Sequence, residues 1–181
     1  MIRVTLTPEE LAEAMAIGKA RAENKIGVPS KSMSNPGEVD TSGGVKQHQC
    51  GAIAERAFEK YTGVRMDRSV IDGGDSGDFL IEVEGRVINI DTKNRWEEGT
   101  DWQIDLLKAK DKGVTHFIFT FMDGKYDVCF YGKGSIELVE KKYNPETNYG
   151  RMGLLPAINK NKLLSPDRFM NVIRARYKLG I

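Results

Sequence analysis

The sequence predicts an α/β fold: a mixed central sheet flanked by helices, with an extra helix near the amino terminus and a basic helix at the carboxyl terminus. Stretches with apolar residues at three- and four-residue steps alternate with short runs of β-branched and aromatic residues. Two of those runs, "DFLIEV" and "RVINIDTKN", are separated only by Glu84-Gly85 and read as a hairpin. The 181 residues suffice for one domain with its own hydrophobic core, and no internal repeat is visible.

Thr7-Pro8-Glu9-Glu10 has the form of a helix start, with Thr7 as N-cap, Pro8 in the first turn and Glu10 closing a capping box; the helix is expected to reach about Lys25. Gly, Pro and Ser dominate residues 27–44, which predicts a long flexible loop. Helical spacing resumes in "VKQHQCGAIAERAFEKYT", where Glu55 shares a stripe with the small residues Gly51 and Ala52. There it can point toward a sheet; the alternative is a wet face on which it pairs with a neighbour such as Arg56. A short strand near Val64–Met66, the Gly/Asp loop "IDGGDSGD" and the hairpin follow. "TDWQIDLLKAKDKG" predicts an amphipathic helix, "THFIFTFM" and "YDVCFYG" two apolar strands. Ser165-Pro166-Asp167 opens a last helix with a core stripe of Phe169, Val172, Ile173 and Tyr177.

The opening residues lack the basic start and apolar stretch of a secretion signal, and no run approaches a membrane span, so the expected location is intracellular, in the cytoplasm, with no membrane partner. Cys50 and Cys129 have no C-x-x-C spacing and are expected to be reduced, buried thiols. The net charge of +1 hides an uneven distribution. Residues 72–105 carry ten acids against three bases, whereas residues 151–181 carry seven bases against Asp167 alone. That polarity suits an enzyme acting on a polyanion, although a solvated helix face explains the basic tail by itself.

The hairpin concentrates the chemistry. Alternation along the second strand puts Val87, Asn89, Asp91 and Lys93 on one face and Ile88, Ile90 and Thr92 on the other. With Glu84-Gly85 as the loop, Val83 faces Arg86, Phe79 faces Ile90, and Asp78 comes opposite Asp91. Two carboxylates whose side-chain roots are about 5 Å apart repel unless something positive lies between them; without it at least one pKa rises. A hard divalent cation takes oxygen ligands and needs only one or two carboxylates, the rest being water or phosphate oxygens. Lys93, about 7 Å further along the same face, would stand over such a site. Asp72, Asp75 and Asp78 do not fit the EF-hand spacing; Asp75 replaces Asp78 only if the hairpin is bulged. His48 and His116 are not arranged for nucleophilic catalysis, and His48 is kept only as a candidate neighbour of the site.

This order of elements, with a helix acid at Glu55, Asp78 at the start of the hairpin and Asp91-Thr92-Lys93 at its end, resembles the PD-(D/E)XK nuclease superfamily, the restriction-endonuclease-like fold. The resemblance covers about residues 45–131 and implies an αβββαβ catalytic core, leaving a helix within 1–26, the loop 27–44 and an extension over 132–181 outside it. It implies a Mg²⁺- or Mn²⁺-dependent deoxyribonuclease with Glu55, Asp78, Asp91 and Lys93 as catalytic residues. The metal would be held by Asp78, Asp91, the Thr92 main-chain carbonyl and Glu55. Gln103 resembles a glutamine that a subset of members carry on the helix after the hairpin. Gly77 departs from the pattern, since Pro often precedes the first acid. Arg95, Trp96, Lys160 and Lys162 are candidate DNA contacts, through phosphates or by stacking on a base. A Holliday-junction resolvase acting as a homodimer and a catalytically silent nucleic-acid-binding module are the alternatives. A compact nuclease of this kind suits a phage or mobile element.

Overall fold

The computed structural model describes residues 1–24, 44–68, 77–83, 85–99, 101–142, 144–148 and 154–180. The expected loop therefore lies outside the described residues except for Gly44, and so does Asp75. The architecture is mixed α/β, as expected. The order is β1 (Ile2–Thr5), α1 (Pro8–Glu23), α2 (Val45–Thr62), β2 (Phe79–Val83), β3 (Arg86–Arg95), β4 (Asp101–Gln103), α3 (Leu106–Asp111), β5 (His116–Asp123), β6 (Asp127–Ser135), α4 (Ile136–Lys142), β7 (Asn144–Asn148), β8 (Leu154–Asn159) and α5 (Asp167–Arg174).

Five strands form the main sheet in the order β1-β6-β5-β3-β2, and β4-β8-β7 form a smaller one. In the main sheet β3 and β5 run parallel, while β2–β3, β5–β6 and β1–β6 are antiparallel. The hairpin has the expected register, Phe79↔Ile90, Ile81↔Ile88 and Val83↔Arg86, and Gly85 turns it with φ +73°. The helix starts are also as read: the Glu10 N–H donates to Thr7 Oγ1 at 3.2 Å and the Thr7 N–H donates to Glu10 Oε2 at 2.8 Å.

Two apolar clusters cover the two faces of the main sheet. Ala52, Ile53, Ala57 and Phe58 of α2 pack with Phe79, Ile81, Ile90, Ile118 and Phe130. On the other face Phe117 and Phe119 pack with Trp102, Ile104, Ala109, Val139 and Ile158. Coverage on both sides explains why β5 reads as a continuous apolar run rather than an alternating one. Cys50 and Cys129 are buried free thiols.

Several expectations fail. Val64–Met66 forms no strand, although Val64 and Met66 are buried and Arg65 is exposed. Of the three strands between α2 and α3, β2 and β3 lie in the main sheet and β4 in the smaller one. The helix expected over 100–113 begins only at Leu106; before it Trp102 and Ile104 are buried around an exposed Gln103, a strand period. Trp102 is fixed there by pairing with Ile158 and by its indole N–H, which donates to the Thr120 carbonyl at 3.1 Å. Gln103 therefore sits on a strand, not on a helix. In α5 the buried stripe is Met170 and Ile173, while Val172 and Tyr177 are 36% and 38% exposed. The chain widens into a π-helical turn over Ala175–Leu179, which rotates Tyr177 out of the stripe. A strand, β1, also precedes the first helix; only its pairing with β6 defines it.

Candidate metal centre

The side chains of β3 face two layers. Asn94, in phase with Ile90 and Thr92, donates its amide N–H to the Cys50 carbonyl of α2 at 2.8 Å. Asn89, in phase with Asp91 and Lys93, donates to the Lys112 carbonyl at the end of α3 at 2.9 Å. Asp91 and Lys93 thus share the α3 face and form an ion pair at 2.5 Å. Glu55 approaches from the α2 side.

Asp78 stands at the point where β2 begins, within electrostatic reach of Asp91, Glu55 and Lys93. Its Oδ2 accepts the Thr92 main-chain N–H at 2.6 Å and the Thr92 hydroxyl at 2.5 Å. The carboxylate thereby takes the place of a strand neighbour for Thr92. Because the N–H and C=O of a strand residue point to the same neighbour, the Thr92 carbonyl is turned toward Asp78 as well.

Gly77 shows why glycine precedes the acid here. Its N–H donates to Asn89 Oδ1 at 2.9 Å, a bond proline cannot make. A Cβ at this position would lie 2.4 Å from Asn89 Oδ1 and 2.6 Å from the Ile90 carbonyl oxygen. Glycine at this position is thus a local packing requirement.

The electrostatics mark the cluster as crowded with negative charge. Burial, then Asp91, then Glu55 push the Asp78 carboxyl up to about 8, against Lys93 and the Thr92 hydrogen bond. Burial also raises Glu55, with Asp91 and Asp67 adding to the effect and Arg21 opposing it. For Lys93 burial disfavours the charge, but Asp91 and Asp78 outweigh it and hold the ammonium above the ordinary lysine range. An acid held protonated by its neighbours is a proton-occupied place that a cation can take over.

Sequence reasoning missed Arg21. From the last turn of α1 its Nη1 donates to both Glu55 oxygens, at 2.8 and 2.9 Å, and its Nη2 donates to the Asp67 carbonyl. Glu55 is 5% exposed, so the wet-face alternative does not hold, and its partner is 34 positions away rather than a helix neighbour. An arginine in a last helical turn is read as complementing the helix dipole; nothing local pointed to Glu55.

The oxygen-only donors fit a hard cation: the Asp78 and Asp91 carboxylates with the Thr92 carbonyl beside them. Among the described residues no group of three or more His, Cys, Asp or Glu side chains comes together to hold a metal ion. The other candidates are dispersed. His48 lies on α2, half-buried, and Gln103 is exposed on β4. The Arg95 guanidinium donates to the Asp101 carbonyl. Trp96 is 45% exposed just beyond β3. Lys160 pairs with Glu98 at 3.4 Å and lies over the Tyr131 ring, while Lys162 is exposed. His116 is stacked on Phe169.

Comparisons with protein-family models, curated proteins and solved structures found no match to this chain.

Proposed function

We propose that the chain is a metal-dependent nuclease of PD-(D/E)XK type that hydrolyses DNA phosphodiester bonds. The observation that carries this reading is the Asp78 carboxylate at the start of β2, held by the Thr92 N–H and hydroxyl next to the Asp91–Lys93 ion pair on β3. The arrangement of an antiparallel hairpin followed, through a helix, by a strand parallel to its second arm supports a restriction-endonuclease-like core.

In this reading Asp78, Asp91 and the Thr92 carbonyl would hold Mg²⁺ or Mn²⁺, and Glu55 stands behind them with its charge matched by Arg21. When bound, such an ion would lower the pKa of a water and neutralise charge on the scissile phosphate. Thr92 orients Asp78 through two hydrogen bonds. Lys93 is held by Asp91 on the same face and offers its ammonium to the attacking water or to the phosphate oxygens. DNA is the partner, with Arg95, Trp96, Lys160 and Lys162 as candidate contacts.

The test is incubation with linear, circular, single-stranded and branched DNA in Mg²⁺, Mn²⁺ or EDTA. Cleavage is expected with either metal and is expected to vanish in EDTA, in Asp91→Ala and in Lys93→Ala. Lys93→Ala should still be stabilised by the metal, because the lysine acts on the reacting groups rather than as a ligand. Wild-type cleavage by either variant rules out this site; no cleavage of any substrate by the wild type favours the silent binding module.

A further inference from the structure

We infer that Arg21 is a positioning residue that keeps Glu55 from ligating and thereby limits the Asp78/Asp91 site to one divalent cation. The inference rests on the metal-centre reading above and gives Arg21 a role beyond matching the charge of Glu55. The guanidinium is fixed on two sides, by both oxygens of Glu55 in α2 and by the Asp67 main-chain carbonyl beyond it. Unlike a lysine, it cannot lose its proton to relieve a nearby cation. A metal ion that sought Glu55 would have to displace an arginine from a buried carboxylate, leaving one of two charges without its partner.

The experiment is calorimetric titration of the full chain with Mn²⁺ in mildly alkaline buffer without nucleic acid, with thermal melts to verify folding. The wild type should bind one Mn²⁺ per chain. Arg21→Gln should bind two, because Glu55 is then free to ligate, and Arg21→Gln combined with Glu55→Gln should return to one. Glu55→Gln alone should keep one ion with an affinity within a few-fold of the wild type. Two ions on the wild type, one ion on a folded Arg21→Gln variant, or loss of binding in Glu55→Gln overturns the inference while leaving the metal centre standing. A wild-type chain that binds no Mn²⁺ overturns both.

Discussion

Asp78 ties the site's chemistry to the stability of the fold. Its carboxyl is raised from 3.8 to about 8, so the folded chain holds this proton more tightly than the unfolded chain does. That contribution to stability is complete below 3.8 and is lost as pH rises through about 8. Asp78→Asn has no proton to lose and can still accept the Thr92 N–H. Without metal, melting curves collected across this range should show the wild type falling relative to Asp78→Asn as pH increases. With Mg²⁺ the order should reverse at the alkaline end, since cation binding requires the ionised acid and only the wild type has it. Parallel pH profiles for the two proteins would refute the assignment. Asp91 and Lys93 were legible in the sequence because they are two positions apart on one strand, where alternation alone puts them on one face. The Arg21–Glu55 pair was not, since it depends on how α1 lies against α2.

At the level of elements, local patterning did well wherever neighbours in sequence are neighbours in space. The hairpin register followed from a two-residue turn and two facing apolar sets; the cap of α1 followed from four consecutive residues. Misreadings arose where a distant partner decides. Residues 101–103, an aspartate, a tryptophan and a glutamine, are compatible with a helix, and pairing with β8 makes them a strand. Val64–Met66 alternates like a strand yet gains no ladder. The entry to β2 offers the sharpest test. Gly77→Ala puts a methyl group against a side-chain oxygen and a main-chain oxygen of β3, at 2.4 and 2.6 Å, and the backbone oxygen cannot swing away. The expected cost is about 1–3 kcal/mol in urea denaturation, as for other overpacked positions. Because the start of β2 must move to relieve the clash, the Mg²⁺-dependent rise in melting temperature should be lost as well. Retention of both would show that Asp78 is placed by something other than its tight approach to β3.

Across the whole molecule, α1 is joined to α2 and the segment after it by an ionic lattice as well as by apolar packing. Arg56 pairs with Glu10 at 2.9 Å and Glu59 at 3.2 Å, Lys60 also reaches Glu10, and Arg68 joins Glu13 and Glu59 at 2.9 and 3.0 Å. Arg56 is the most enclosed cation of the set. Replacing it with Ala should cost about 2–3 kcal/mol by urea denaturation, between the values for exposed and buried pairs, because Glu10 and Glu59 lose a shared partner. A loss of only a few tenths would mean the lattice is solvated surface charge. The pairing of β1 with β6 has a kinetic corollary. Thr5 and Asp127, joined by a 2.5 Å hydrogen bond, are 122 residues apart, so during synthesis the first strand emerges long before the segment it will bind. Helix α1 can settle on α2 much earlier, and closure of the β1–β6 edge of the sheet must wait for a segment made well after β1.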